Sequence, residues 1–207
     1  MLRALLWDAD GVLQHTPVPW VEALDAAGGP GFAEAVFEAE LGAMRGSEPL
    51  RLTLERVLDS WPDARTDVPS LLELWERAVV DQAAMELVAE VRAAGVHCAL
   101  ATNQQDHRRE WMRDHLGHDA RFDRVYYSCE IGAAKPEPEF FHHILDHLGL
   151  PAAAVGFVDD SPANVQAALG VGLHAVRHDP ASGVHKLRDE VWALLTSATW
   201  TRPLEAE

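Results

Sequence analysis

The stretch Leu5-Leu6-Trp7-Asp8-Ala9-Asp10-Gly11-Val12-Leu13 passes from apolar side chains directly into two carboxylates and a glycine. A short apolar run without alternation suits a central parallel strand, because helices cover both faces of such a strand. Residues i and i+2 of a strand point the same way, so Asp8 and Asp10 are expected on one face about 6–7 Å apart, with Gly11 letting the backbone turn away. Two unpaired carboxylates at the end of a buried strand repel each other and are poorly solvated, so they need a proton, a cation or both; a divalent ion meets the need most simply. An ordinary strand followed by an Asp-Gly turn would show the same local pattern, so the rest of the chain has to decide.

Working outward, Gln14-His15-Thr16-Pro17-Val18-Pro19 reads as a hinge that leaves the strand pairing. From about Trp20 to Gln82 the apolar residues recur at helical spacing, as in Phe32 to Leu41 and in Leu50, Leu54, Val57, Leu58 and Trp61, with no strand signal between. From Ala83 the chain alternates helices with apolar strands. Val96 to Ala101 delivers Thr102 and Asn103, Arg124 to Ser128 is a further strand, Ala154 to Val158 delivers Asp159, Asp160 and Ser161, and Leu173 to Val176 is the last. Helices are expected over Met85 to Ala94, Arg108 to Leu116, Glu139 to Leu148, Ala163 to Leu169 and Val184 to Leu195. This rhythm implies an α/β fold, a Rossmann-like parallel sheet wrapped by helices, with a small helical cap inserted after the first strand. The expected division is a core of residues 1–16 and 83–207 and a cap of residues 17–82.

In such sheets ligands sit beyond the carboxyl ends of the strands. Asp8, Asp10, Thr102, Asn103, Asp159 and Asp160 all occupy such ends, which makes their convergence a geometric expectation. Lysine occurs only at positions 135 and 186, and Lys135 stands in the Gly/Pro loop Gly132 to Pro138, before a helix. Carboxylates, one hydroxyl and one lysine form a set for phosphoryl transfer. Asp8 is the candidate nucleophile, Asp10 the general acid and base, Thr102 and Asn103 the phosphate contacts, and Lys135 the counter-charge to Asp8 and phosphate. Oxygen ligands from Asp8 and Asp160, with Asp159 close by, suit Mg²⁺.

Composition sets outer bounds. The 207 residues carry a formal charge of -16 and are 48% hydrophobic, which excludes a disordered chain and argues against nucleic acid, whose phosphates are held by basic patches. Cys98 and Cys129 have no metal-type spacing. No apolar run reaches membrane-spanning length, which leaves a cytoplasmic location as the default expectation. Within the insertion, Trp20, Arg45, Ser47 and Arg51 are polar candidates for touching a ligand, though solvated or packing roles suit them as well. His142, His143 and His147 share a helix without an accompanying carboxylate or cysteine motif and read as a solvated face. Trp200 and the tail Arg202 to Glu207 read as a loose terminus.

Asp8-Ala9-Asp10-Gly11-Val12, Thr102-Asn103, Lys135-Pro136 and Asp159-Asp160-Ser161 stand in the order and at the spacings that mark the haloacid dehalogenase superfamily, and the chain resembles its aspartyl-phosphate phosphohydrolases. The resemblance covers residues 1–14 and 83–198, and the insertion stands where that superfamily places a helical cap of its first type. It implies Asp8 as nucleophile, Asp10 as acid and base, Mg²⁺ on Asp8, the Asp10 carbonyl and Asp160, and Asp159 supporting the metal or Lys135. Thr102 to Arg109 also resembles sugar-phosphate phosphatases and the N-terminal domain of epoxide hydrolases. Dehalogenation is disfavoured because dehalogenases of the family lack the second aspartate, and a cap lysine for phosphonate hydrolysis is missing from residues 17–82. The expected activity is Mg²⁺-dependent hydrolysis of a small phosphorylated metabolite. A sugar-phosphate mutase or a non-catalytic binding protein with the same fold is the alternative.

Overall fold

The opening apolar run forms β1 (Ala4–Trp7), buried along its whole length, in a computed structural model that describes residues 2–197. After it, β2 (Gln14–His15) pairs antiparallel with β3 (Val79–Val80), a two-stranded ribbon at the base of the insertion. The chain then supplies β4 (His97–Thr102), β5 (Arg124–Tyr127), β6 (Val155–Asp159) and β7 (His174–Arg177). These four and β1 make one parallel sheet in the order β5-β4-β1-β6-β7, with β1 at its centre.

The pleat explains why every side chain of β1 is apolar. Leu5 and Trp7 enter one apolar layer, with Leu87, Val88 and Val91 of α5 (Gln82–Ala93) and Leu187 and Val191 of α11 (Gly183–Ser197). Ala4 and Leu6 enter the opposite layer, with Phe140, Phe141 and Ile144 of α9 (Pro138–Leu148) and Ala168 of α10 (Pro162–Val171). A strand with helices on both faces has no solvent side to pattern, which is why its sequence does not alternate. Between β4 and β5, α6 (Asp106–Trp111) runs into a π-helical turn at Met112–Leu116 and then α7 (His118–Arg121), and the short helix α8 (Ser128–Ile131) follows β5.

The insertion folds on its own apolar cluster. Helices α1 (Trp20–Gly28), α2 (Phe32–Met44), α3 (Leu50–Ser60) and α4 (Val68–Leu72) gather Leu24, Phe32, Val36, Leu54, Val57, Leu71 and Trp75. Contrary to the expectation of a strandless insertion, its end contains β3. Val79 and Val80 find a partner in Gln14 and His15, so the exit expected to leave strand pairing closes this ribbon instead. The core helix α5 begins at Gln82, capped by the Asp81 side chain on the Ala83 and Ala84 amides, so the expected boundary at residue 82 falls within its first turn.

Several polar contacts fasten the insertion to the elements around the sheet. Asp106 accepts from the Leu50 amide at the start of α3 (2.8 Å), His107 faces Glu76 (3.0 Å), and Arg45 donates to Glu137 (Nε to Oε1, 2.7 Å). Gly46, at φ 66°, lies so close to the Cys129 carbonyl that any Cβ would collide with it. Among the described residues no helix is long and apolar enough to cross a membrane. Cys98 is buried and Cys129 half-buried, both as free thiols. The stretch from Trp200 to Glu207 lies outside the described residues.

Candidate active site

Three strand ends deliver the site. Asp8 follows β1 with its amide donating to Val158 on the neighbouring strand (3.0 Å), so the carboxylate emerges at the edge of the central sheet. The Ala9 carbonyl accepts from the amides of Leu13 (2.8 Å) and Gln14 (3.0 Å), and this tight turn, with Gly11 at φ 79°, swings Asp10 over the strand ends. Glycine is required at position 11 for a second reason: a Cβ there would stand 2.5 Å from the Asp160 Oδ2.

Lys135 sits beneath these carboxylates, 5% exposed. Its ammonium donates to Asp8 Oδ1 (2.7 Å), Asp159 Oδ2 (2.8 Å) and the Ala101 carbonyl (2.8 Å). An ammonium has three donors, and all three are committed inside the protein. These hydrogen bonds hold Asp8 and Asp159, and the ammonium charge stands in the lining of the cavity above them. Burial opposes its charge, but Asp8 and Asp159 outweigh burial and hold the lysine above its ordinary range.

Asp159, fully buried, also accepts from the Asn164 amide (3.0 and 3.1 Å) and the Ser161 backbone (2.8 Å). One lysine therefore serves two carboxylates, and the excess negative charge falls on Asp8. Burial, with Asp159 and Asp10 adding repulsion, outweighs Lys135 and pushes the Asp8 carboxyl up to about 7. Asp160 is raised too, first by burial and then by Asp159. Oxygens of Asp8, Asp159 and Asp160 lie within 4.8 Å of one another. An acidic, oxygen-only cluster with too little positive charge of its own fits a hard divalent cation such as Mg²⁺. Since both Asp159 oxygens already accept protein donors, Asp8 and Asp160 have the freer ligand oxygens.

Asn103, which lines the cavity, also fixes the lysine loop. Its side chain accepts from the Lys135 amide (2.9 Å) and donates to the Lys135 carbonyl (2.8 Å), clamping the lysine loop to the end of β4. Thr102, 1% exposed, accepts from the Gln104 side chain (3.1 Å), which directs its own hydroxyl proton elsewhere.

Asp10 is held by three side chains. Its Oδ1 accepts from Gln14 (3.0 Å) and from Arg108 (2.6 Å), and its Oδ2 from Gln104 (2.9 Å). Gln14 is oriented in turn by buried His118, whose Nε2 lies 2.9 Å from the Gln14 Oε1. Burial pushes His118 down to about 4, so the ring is neutral at physiological pH and its Nε2–H donates to the amide oxygen. None of Gln14, His118, Arg108 and Asn164 was singled out from sequence as a site residue. Gln104 and Arg108 fell within a stretch noted only for resemblance, and nothing in their spacing tells which of Gln104, Gln105, Arg108 and Arg109 face inward.

A cavity of about 390 Å³ opens over this floor, lined by Asp8, Asp10, Thr102, Asn103, Lys135 and Asp160, and on its outer side by His15, Thr16, Pro19 and Trp20. Of the four cap candidates only Trp20 lines it. Arg45 is turned to Glu137, the Ser47 hydroxyl donates to the Gly42 carbonyl (2.8 Å), and Arg51 is exposed. His142, His143 and His147 are exposed on α9, and the acidic triad is the one candidate metal cluster among the described residues.

On α2 of the insertion, Glu40 is buried, with its Oε2 unpartnered. Burial pushes its carboxyl up to about 8 from an ordinary 4.5, with Arg108 acting in the opposite direction. A carboxyl raised on folding binds its proton more tightly in the folded chain, so stability falls as pH rises from about 4.5 through about 8. Glu40→Gln should flatten that slope and melt higher than wild type at pH 8, with the two converging near pH 4.5. Calorimetric melts across this range check it, and parallel pH profiles would contradict it.

Sequence comparison bears on this geometry directly, since residues 2–172 match the haloacid dehalogenase-like hydrolase family. The chain belongs to the haloacid dehalogenase-like hydrolases. Among curated relatives of this hydrolase, flavin mononucleotide hydrolase 1 of Arabidopsis thaliana is 32% identical over 75 residues, 36% of this chain and 31% of the relative. The GMP/IMP nucleotidase YrfG of Escherichia coli is 29% identical over 101 residues, 49% of this chain and 46% of the relative. The hydrolase thus spans less than half the length of these relatives. A magnesium complex of a haloacid dehalogenase family enzyme from Bacteroides thetaiotaomicron superposes with a TM-score of 0.78 at 20% identity, covering 90% of this chain and 98% of that one. The L-2-haloacid dehalogenase of Xanthobacter autotrophicus has the same fold, at TM-score 0.63 and 22% identity over 99% of this chain and 86% of that one.

Proposed function

We propose that this hydrolase removes the phosphoryl group of a small phosphomonoester through a covalent phosphate on Asp8. The observation that carries the reading is the Lys135 ammonium bridging Asp8 (2.7 Å) and Asp159 (2.8 Å) at the floor of a cavity that Asp10 also lines. The lysine holds the Asp8 carboxylate in a fixed direction, as an in-line attack needs. Mg²⁺, held by Asp8 and Asp160 and, as the family resemblance implies, the Asp10 carbonyl, would neutralise phosphate charge when bound.

The protein's own steps are a nucleophilic attack and two proton transfers. Asp8 forms a bond to phosphorus as the bond from phosphorus to the leaving oxygen breaks, and Asp10 gives that oxygen a proton, releasing an alcohol. Asp10, now a carboxylate, takes a proton from water as the water oxygen attacks phosphorus, which releases phosphate and restores both aspartates. Thr102, with its hydroxyl proton not used by Gln104, can donate to a phosphate oxygen.

The cavity also bears on the leaving group. Its outer residues His15, Thr16, Pro19 and Trp20 include no lysine or arginine, so a neutral leaving alcohol fits better than one carrying a second phosphate. Flavin mononucleotide and purine mononucleotides, the substrates in the names of two relatives, belong to this class of ester, as do sugar monophosphates. The test is phosphate release from a panel of nucleotide, sugar, flavin and simple alkyl monophosphates and bisphosphates, with Mg²⁺ and with chelator. Mg²⁺-dependent release, favouring monophosphates, is expected. Release unaffected by chelator would remove the metal from the reading, and phosphate transfer between sugar positions without release would point to a mutase.

A further inference from the structure

Asp10 can hand a proton to a leaving oxygen only if its carboxyl is aimed, and its shortest hydrogen bond comes from an arginine that sequence reading did not single out. Arg108 is 2% exposed, its Nη2 stands 2.6 Å from Asp10 Oδ1, and its guanidinium carbon lies 5.0 Å from the centre of the Trp20 ring. Trp20 belongs to the cap and stacks on Trp75, at 5.6 Å between ring centres. On the Arg108 guanidinium, Nε is buried and unpartnered, and on the cap helix α2 the buried Glu40 has an unpartnered Oε2. No hydrogen bond joins the two as they stand, but Arg108 is the charge that acts on the Glu40 carboxyl, and a buried donor and a buried acceptor each remain costly until they find a partner.

We propose that Arg108 is a positioning residue for Asp10, and that the cap holds Arg108 in place through Trp20 and Glu40, so that proton transfer to the leaving group depends on cap seating. The inference rests on the phosphatase reading above. Arg108 touches no reacting atom. It fixes the direction of the carboxyl that does, while Gln14 and Gln104 share that carboxyl from other sides. The core supplies the carboxyl and the arginine, and the cap supplies the ring and a buried carboxyl within reach of the arginine's charge. A displaced cap therefore loosens the acid without disturbing Asp8 or Lys135.

Leaving-group dependence separates this role from a merely structural one. A nitrophenolate departs without a proton, whereas an alkoxide does not, so a badly aimed acid harms alkyl esters more. The experiment measures kcat/KM for p-nitrophenyl phosphate and glycerol phosphate with wild type, Asp10→Asn, Arg108→Met, Arg108→Lys, Glu40→Met and Trp20→Leu, each checked by its melting curve. In Arg108→Met the glycerol phosphate value should fall at least about 10²-fold further than the nitrophenyl value. Arg108→Lys should recover part of the difference, and Glu40→Met should show the same asymmetry at about tenfold. Equal losses on both esters in Arg108→Met, alongside asymmetry in Asp10→Asn, would overturn the positioning role and leave the phosphatase reading standing. An asymmetry in Arg108→Met but not in Glu40→Met would overturn the part given to Glu40, and its absence in Trp20→Leu as well would overturn the coupling to the cap. If Asp10→Asn itself shows no asymmetry, Asp10 is not the acid, and the positioning role of Arg108 falls with that assignment.

Discussion

Asp8→Asn should lower phosphomonoester hydrolysis by about 10⁴-fold or more, with the chain still folded. The substitution keeps the shape of the side chain and replaces the attacking oxygen with a group that cannot form a stable phosphoryl ester. The surroundings are built for this one carboxylate. It leaves the central strand, receives a lysine proton at 2.7 Å and opens onto the cavity. Asp10 and Asp160 line the same cavity, but Asp10 is tied to three donors and Asp160 has no lysine beneath it, so neither replaces Asp8. Phosphate release by the purified variant, with circular dichroism confirming the fold, is the check. Retention of more than a few per cent of the wild-type rate would assign the nucleophile elsewhere.

Lys135→Met should damage both activity and stability. Removing one partner of a buried charge cluster leaves the others uncompensated, at a cost of about 3–5 kcal/mol. Here two carboxylates would remain, Asp8 at 7% exposure and Asp159 at 0%. The Ala101 carbonyl would also lose its ammonium partner. Activity should fall about 10³-fold, because Asp8 loses its fixed direction and the site loses its only lysine. Mg²⁺ should raise the melting temperature of the variant by more than it raises that of wild type, since the cation would then be the sole compensating charge beside Asp8. A variant that melts with wild type would contradict the bridging role. Lys135→Arg should not restore the rate, because a planar fork cannot place three donors on Asp8, Asp159 and the Ala101 carbonyl at once.

The parts of this site that were legible in the sequence share one property: their meaning is local. Asp8 and Asp10 follow an apolar run, Thr102 and Asp159 end others, and Lys135 is conspicuous because the chain has only two lysines. A parallel sheet brings strand ends together whatever the details of packing, so convergence could be expected before any contact was known. Roles were harder to read than positions. Asn103 lines the cavity, and its amide also fixes the Lys135 backbone. Lys135 itself turns all three protons inward. Arg108 and His118 were silent because each matters through a neighbour far away in sequence. His118 meets Gln14 across 104 positions and Arg108 meets Asp10 across 98. The β2–β3 ribbon was missed for the same reason, since two residues paired across some 65 positions leave no periodicity to detect.

The most direct measurement is chemical trapping of the covalent phosphate during turnover. The enzyme is mixed with Mg²⁺ and its best substrate from the panel, quenched in acid, reduced with borohydride, digested and sequenced by mass spectrometry. An aspartyl phosphate is reduced to homoserine, so homoserine at position 8, dependent on substrate and absent in Asp8→Asn, is the expected result. Sustained turnover with Asp8 recovered unmodified, or with the label on another carboxylate, would contradict an Asp8 nucleophile.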